Sequence, residues 1–404
     1  MIHASNFKPR VFPYNGDVSD AEIDRAQSID PDITLNREEV KEIGRDGVVG
    51  YLKRTPTVPY NLTQYEYGNF EFWRKLTNQA DSVLSVDLND FKTSMVDICG
   101  YLTDDDDVFL GTVQYPKLRT AGFSWTIGDP DAVIERSFSL IGEDAIIWQG
   151  ANKYFILNEK TMGSAETGSI AIDLSARPPV LDPDLPAGDD SDYFIRILRV
   201  RAGVTSELAL TTNYTYVTGT STLTILGSLV GDVIKTYYTS GTAPATIFTD
   251  NDVDPAGIMA DCVTIELTAG DRLYRLQDVT IDVAFDRADY KEIGNTEVVQ
   301  RGITDKTVTV SLGRFLEDFS IEEALRGVSA DYGKINPREF ADNLSISVKI
   351  YTDNTKTTFA YGFLVDGLSP TSLRGGASVD EYSRRENTLE GNTLLISTTI
   401  ADLN

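Results

Sequence analysis

The residues of this chain that could do chemistry are mostly carboxylates: 62 Asp and Glu stand against 36 Lys and Arg and one histidine, His3. A single histidine removes Ser-His-Asp and Cys-His nucleophile machinery and every multi-histidine metal site. Two cysteines, Cys99 and Cys262, cannot build a zinc cluster and read as buried thiols that pack like small hydrophobes. The densest carboxylate run, Asp104, Asp105, Asp106 and Asp107, has the hard oxygen ligands that calcium takes. Successive residues of a turning backbone do not all point inward, however, and the EF-hand spacing with its glycine is missing, so the run reads as a solvated hairpin tip. Paired carboxylates of the glycosidase kind carry no signal where acids are this abundant. Trp73, Trp125 and Trp148 could stack on a sugar, but buried core aromatics are the commoner case. No glycine-rich phosphate loop appears, no cofactor is implied, and the expectation is a protein without catalysis.

The charge balance has its own meaning. At a formal −26, with 41 Asp to 21 Glu and 14 Lys to 22 Arg, the surface repels polyanions and should not grip nucleic acid through its phosphates. The Asp excess with scarce Lys also suits strong salt, as in a halophilic or marine source. The opening residues lack an apolar stretch of signal-peptide length, and Ile225–Ile234, broken by Asp232, is too short to span a bilayer. Synthesis in a cytoplasm is expected. Asn61, Asn213 and Asn343 head glycosylation-like triplets, which without a secretory signal read as coincidence.

The elements that position these residues come from an internal repeat. Lys41-Glu-Ile-Gly44 recurs as Lys291-Glu-Ile-Gly294, an offset of 291 − 41 = 250. At that offset Arg25 matches Arg275, Gln27 Gln277, Arg37 Arg287, Leu62 Leu312, Tyr101 Tyr351, Phe109 Phe359 and Leu118 Leu368. A slip to 249 then aligns Arg136 with Arg385, Leu140 with Leu389 and Ile147 with Ile396. One register held over about a hundred residues marks a duplicated module, from about Arg25 to Gly150 and again from about Arg275 to Ala401.

Within it Val279–Phe285, Lys306–Leu312 and Leu344–Ile350 alternate apolar and polar residues, the period of half-buried strands. Asp318–Gly327 and Asn69–Leu76 each fit one short helix, and a hairpin closes the module through Asp353–Lys356 or, in the first copy, through Asp104–Asp107. Between the copies the proline-rich run Arg177–Gly188 introduces short strands around glycine turns, which suggest a small immunoglobulin-like sandwich. The expected division is 1–177 for the first unit with an amino-terminal arm, 178–250 for the inserted sandwich and 251–404 for the second unit. The fold class is mainly β.

The strand-turn segments Gln27 to Gly44 and Gln277 to Gly294, followed by the helices at Asn69 to Leu76 and Phe319 to Gly327, make each unit resemble the tube domain of long-tailed phage and archaeal-virus tails, of the fused type with two tube domains per chain. The resemblance covers about 250 of the 404 residues. It implies two tandem tail-tube-like β-sandwich or barrel domains, three chains completing a pseudo-hexameric ring, and rings stacked around an acidic channel through which viral DNA passes without tight binding. It also implies a virion tail location, a tape-measure protein inside, tail-end proteins as partners, and no membrane span. The inserted sandwich must then face outward. A distal tail or baseplate ring is an alternative use of the same domain, and a secreted carbohydrate-binding or surface-layer protein is another. Gly44 and Gly294 end the same strand twice, as a turn needing positive φ does. Lys41, Glu42, Lys291 and Glu292 are candidates for a local pair or an inter-subunit contact.

Overall fold

The computed structural model describes the chain except residues 1–6, 15–20, 42–47, 49, 54, 107, 130, 151–152, 182–192, 203, 211, 245–256, 268–270, 274–275, 291–299, 316–319, 327–335, 377–383 and 404. The first repeat builds β1 (Phe7–Pro13), β2 (Ala21–Glu22), β3 (Ala26–Pro31), β4 (Arg37–Val40), β5 (Gly50–Lys53), β6 (Val58–Tyr65), α1 (Glu71–Thr77), β7 (Ser85–Asp87), β8 (Val96–Thr103), β9 (Phe109–Ile127), β10 (Glu135–Gly142) and β11 (Ile146–Gln149). The middle piece contributes β12 (Tyr154–Thr161), β13 (Gly168–Asp173), β14 (Arg196–Arg201), β15 (Val204–Glu207), β16 (Tyr214–Val217), β17 (Thr222–Ser228) and β18 (Val233–Ser240). The second repeat runs through β19 (Val263–Leu267), β20 (Asp271–Arg272), β21 (Leu276–Tyr290), β22 (Gln300–Phe315), α2 (Ser320–Leu325), β23 (Leu344–Tyr351), β24 (Phe359–Gly376), β25 (Arg384–Gly391) and β26 (Thr393–Ser397).

Period-two alternation does the local work. Along β6 the residues Val58, Tyr60, Leu62 and Gln64 are buried while those between are not, so one face seals the core and the other stays polar. The short helix α1 starts where Asn69 Oδ1 accepts the Glu71 backbone N–H at 2.7 Å, and stops where Asn78 takes the left-handed conformation, with φ 55°. It buries Phe72, Trp73 and Leu76.

The duplication is written into the strand registers. Ile29 faces Leu62 in the β3–β6 ladder and Val279 faces Leu312 in β21–β22, each residue 250 from its twin. Both ladders skip at the same place, between Ala26 and Ser28 and between Leu276 and Asp278. The β10–β9 ladder shifts at Ser139/Leu140 against Gly122 and Thr120; β25–β24 shifts at Thr388/Leu389 against Ser372 and Pro370. A bulge is one extra residue in a ladder, so a bulge shared at matching positions is inherited with the module. The same ladders correct one sequence match. Thr103 faces Phe109 as Tyr351 faces Phe359, and Ile98 faces Tyr115 as Ile346 faces Val365. The strand β8 therefore corresponds to β23 at offset 248, and the counterpart of Tyr101 is Lys349, not Tyr351.

The module also begins earlier than Arg25. Phe7–Pro13 is not a free arm: it pairs with β8 along its whole length, as β19 pairs with β23. Insertions between this strand and the next break the offset, so the repeat search does not see it.

One sheet crosses the boundary between repeats. Its strand order is β3-β6-β10-β9-β21-β22-β25-β24, with Val283 of β21 facing Phe123 of β9 and Ile281 facing Trp125. The short β7 likewise pairs with β26, Val86 facing Ile396. A single hydrophobic core runs through both repeats. At this seam the buried Glu66 carboxylate accepts the Tyr67 and Gly68 backbone N–H groups at 2.9 and 2.8 Å and the Tyr361 hydroxyl of the other repeat, with the Arg136 guanidinium 3.7 Å away. Burial and the adjacent Glu66 push the Tyr361 phenol up, so it remains a proton donor.

The middle piece is a two-sheet sandwich, β12-β18-β14-β15 on β13-β17-β16, with its own core. Because β12 and β13 pair with β18 and β17, the sandwich begins at Tyr154, not at residue 178, and the proline-rich run lies inside it. It sits on the outer face of β8, where Phe12, Cys99, Tyr101 and Phe109 pack against Phe155, Leu198 and Tyr237. Arg196 donates to Asp97 at 2.6 Å and lies 4.3 and 4.0 Å from the ring centres of Tyr14 and Tyr237. Asp97 also accepts from Gln114 Nε2 and the Lys117 backbone N–H. At the equivalent positions of β23 the second repeat carries Ser345, Ser347 and Lys349 in place of Asp97, Cys99 and Tyr101, and Lys349 is paired with Glu266 at 2.7 Å. That face is polar but covered: Ser347 and Lys349 are both 6% exposed, and Leu403 of the last turn packs over Gly362, which faces Lys349.

Arg196→Ala leaves Asp97 buried without its cation; equilibrium unfolding in urea should show a loss of about 3–5 kcal/mol. Tyr361→Phe removes only one donor to Glu66 and should cost about 1–2 kcal/mol in the same measurement.

Candidate functional site

The residues singled out in the sequence do not converge on one place. Asp104 is a turn cap: its Oδ1 accepts the backbone N–H groups of Asp106 at 3.0 Å and Val108 at 2.8 Å. Asp105 and Asp106 are exposed on the same turn, and Asp107 lies outside the described residues. Asp353 does the same job in the second repeat, accepting the Thr355 hydroxyl at 2.5 Å and the Thr357 and Thr358 backbone N–H groups at 3.1 and 2.8 Å, and these bonds, the Thr355 one first, hold its carboxyl well below the usual range. Among the described residues no three His, Cys, Asp or Glu side chains gather as a metal-holding group. Lys41 is exposed and pairs with Glu39 at 3.3 Å; Glu42, Gly44, Lys291, Glu292 and Gly294 lie outside the described residues, as does His3.

The three tryptophans are buried, two of them in the shared core, and form no platform. Cys99 and Cys262 are both buried. In the buried Glu66–Arg136–Tyr361 group the carboxylate is held by Tyr67, Gly68 and Tyr361, while Arg136 donates through Nη1 to the Asn69 carbonyl at 3.1 Å and its Nε and Nη2 have no hydrogen-bond partner.

What sequence reasoning missed is a surface. The eight-stranded sheet shared by the repeats buries one face in the core; between its bulges the other face carries hydroxyls and carboxylates. Thr63 and Ser137 lie 3.3 Å apart, Ser139 donates to Asn61 at 3.0 Å, and Thr126 reaches Thr280 across the repeat boundary at 3.4 Å. Glu135 on β10, Asp282 on β21, and Glu386 and Glu390 on β25 alternate with core-facing residues and so share that face, as does Asp30 of β3, opposite Asn61, with Asp32 two residues on. Among the described residues the cations the same alternation places there are Arg374, Arg384, which is bonded to Asp278, and, past the β9 bulge, the half-buried Arg119. Short hydroxyls tied to one another and a surplus of carboxylates make a flat wall that offers a polyanion almost nothing to hold. The signal was present in the sequence as Ser, Thr and Asp at every second position of the strands, but it becomes a surface only once the two repeats are seen to share a sheet.

No family model matches this chain, and no curated protein matches it. Among solved structures it is similar to a chain in the anti-feeding prophage baseplate, at 14% identity over 36% of this chain and 93% of that one, TM-score 0.26. It is similar to a chain in the cap that terminates the anti-feeding prophage tube, at 16% identity over 35% and 91%, TM-score 0.27. A chain in the sheath-tube complex of an extracellular contractile injection system, in the extended state, is similar at 13% identity over 39% and 99%, TM-score 0.27.

Calcium titrated into the protein should leave its melting temperature unchanged, whereas Asp104→Ala should lower stability by about 0.5–1 kcal/mol through the lost turn bonds. The Asp353 turn has a pH signature. A carboxyl held below its unfolded value, near 3.9, contributes stability above that value and loses it as pH falls through the folded one. Amide exchange at residues 355–358, compared with a distant strand, should therefore be flat from pH 8 to 5 and rise selectively below about pH 4.

Proposed function

We propose that the chain is a structural subunit of a viral tail, the major tail tube protein, which joins to copies of itself edge to edge. The observation that supports this most is the seam: β9 of the first module pairs with β21 of the second, while the same modules carry β3 and β24 at the two ends of the shared sheet. What one module does to its neighbour within the chain, the last module can do to the first module of another chain. Repeated head-to-tail addition of this kind closes into a ring, and closure covers the exposed edges that otherwise invite aggregation.

Three chains supply six modules to each ring, as the resemblance to fused tube domains implies, and rings stack into a tube. The hydroxyl- and carboxylate-bearing face is turned to the bore, where it lets double-stranded DNA slide without adhering. The inserted sandwich, on the opposite side of the first module, projects from the outer wall. The chain performs no chemistry and needs no cofactor; its other partners are a tape-measure protein within the tube and the proteins at the tail ends.

Size-exclusion chromatography with light scattering, followed by negative-stain microscopy, is the test. Hollow rings or rods are expected, and a monomer that persists at high concentration without curved assemblies counts against the reading. Assemblies should not retain duplex DNA in a gel-shift assay at low salt, and Asp30→Arg with Asp282→Arg should make them retain it.

A further inference from the structure

Among the described residues the two modules bury matching positions in their inner strands and differ where the first module covers the second. In the inner strands Val58, Tyr60 and Leu62 are as buried as their counterparts Val308, Val310 and Leu312. At the edge strand Val283 and Phe285 are 1% and 4% exposed, covered by β9 of the first module, while their counterparts Ile33 and Leu35 are 46% and 56% exposed. Ile396, paired beside β7, is 0% exposed; its counterpart Ile147 is 71% exposed. Three aliphatic side chains of the first module thus stand in water at positions where the second module makes its joint.

From this the geometry points to a specific joint between chains, which rests on the ring reading above: the edge at residues 30–33 of one copy pairs antiparallel with residues 373–376 of β24 in the next. Carrying the in-chain register over by 250 sets Ile33 opposite Leu373, because Val283 faces Phe123, and sets Asp32 opposite Arg374, because Asp282 faces Ser124. Asp32 and Arg374 are both exposed and lie on the polar face, so the transferred register creates an ion pair that the in-chain joint lacks. Phe340 is the counterpart of Phe91 at offset 249, because Asp87 accepts the Asn89 backbone N–H as Asn336 accepts that of Arg338; Leu35 falls on Leu373 and the half-buried Phe340, as Phe285 falls on Phe123 and Phe91, whose rings lie 6.4 and 5.7 Å from it.

Arg37 extends the match. Its twin Arg287 donates to the Thr120 carbonyl at 2.7 Å and the Phe91 carbonyl at 2.9 Å, both in the first module. The corresponding carbonyls in the next chain are those of Pro370 and Phe340, and Arg37 is exposed on the edge that would meet them.

Two differences shape this joint. The backbone N–H groups of Asp32 and Thr34 donate to Pro59 and Thr57 on the inner side, which turns the nitrogen of Pro31 to the open edge, where it has no hydrogen to give. The ladder is one bond short there, and an indiscriminate partner strand gains little from it. Ser372 stands where Gly122 lets the Val283 carbonyl come within 2.5 Å of an added Cβ, so the ladder ends at Ile33–Leu373.

The test uses the full chain. Directly opposed positions in an antiparallel ladder suit a disulfide, so Ile33→Cys with Leu373→Cys should give chain-to-chain crosslinks under a mild thiol oxidant, and Ile33→Cys with Ser372→Cys, one residue out of register, should give at least tenfold fewer. Asp32→Arg and Arg374→Asp should each reduce assembly at least tenfold, with monomer melting unchanged, and the double reversal should restore it. If the wild-type chain never assembles, the ring reading fails and this joint with it. If it assembles, yet the 33–373 pair does not crosslink and the reversals have no effect, this joint is overturned and the ring reading stands.

Discussion

The structure depends on the pairing of β9 with β21. Each module on its own would end in two open strands, and an open strand is a row of unpaired donors and acceptors that any chain can add to. Within this protein one such pair of edges is satisfied by the chain's own second copy, across a ladder from Val279–Ile127 to Ala284–Gly122. That ladder brings Trp125, Phe123 and Phe285 into one core, and it carries the polar face across the boundary without a break. The Glu66–Tyr361 bond then locks the seam from the side. It fixes the approach of the two modules because a buried carboxylate left unsatisfied costs several kcal/mol.

Much of this was legible in the residues because the chain states its module twice. The offset of 250 from Lys41-Glu-Ile-Gly44 located the strand pairs to the residue, and the slip to 249 falls where the Gly376–Arg384 pair encloses one residue fewer than its counterpart Thr126–Glu135. The edges of the module were not legible. Its first strand, Phe7–Pro13 or Val263–Leu267, is separated from the rest by segments of different length, so no single offset joins the copies. Tyr101 and Tyr351 are an accidental identity, exposed only by the bulge positions. The sandwich begins two strands earlier than expected because Tyr154–Thr161, four apolar residues followed by four polar ones, shows no alternation, and its partner, Val233–Ser240, lies over seventy residues on. Long-range pairing of that kind leaves no local mark.

The inserted sandwich illustrates how the two copies diverged. A duplicated surface takes the chemistry of what covers it. Under the sandwich the outer side of β8 shows Cys99 and Tyr101, with Asp97 spent on Arg196; the same side of β23 shows buried Ser347 and Lys349, the lysine paired with Glu266, beneath the chain's last turn. The difference between the copies therefore reports two different neighbours.

The same logic, applied to the sheet edges, gives opposite signs on the two copies. Val283 and Phe285 are large, apolar and covered; Ile33 and Leu35 are large, apolar and bare. Had the first module's edge lost its partner in evolution, exposed isoleucine and leucine would bring a solubility cost with no return, and substitution by polar residues is the expected drift. Their retention beside Pro31, Asp32 and Arg37 describes an edge that is closed to random strands and complementary to one. On the proposed ring reading, a fused pair of modules would make two kinds of joint in alternation, one fixed by the covalent chain and one selected by charge and shape. Only the second would have to be won by diffusion, so each chain would enter an assembly with half of its joints already made.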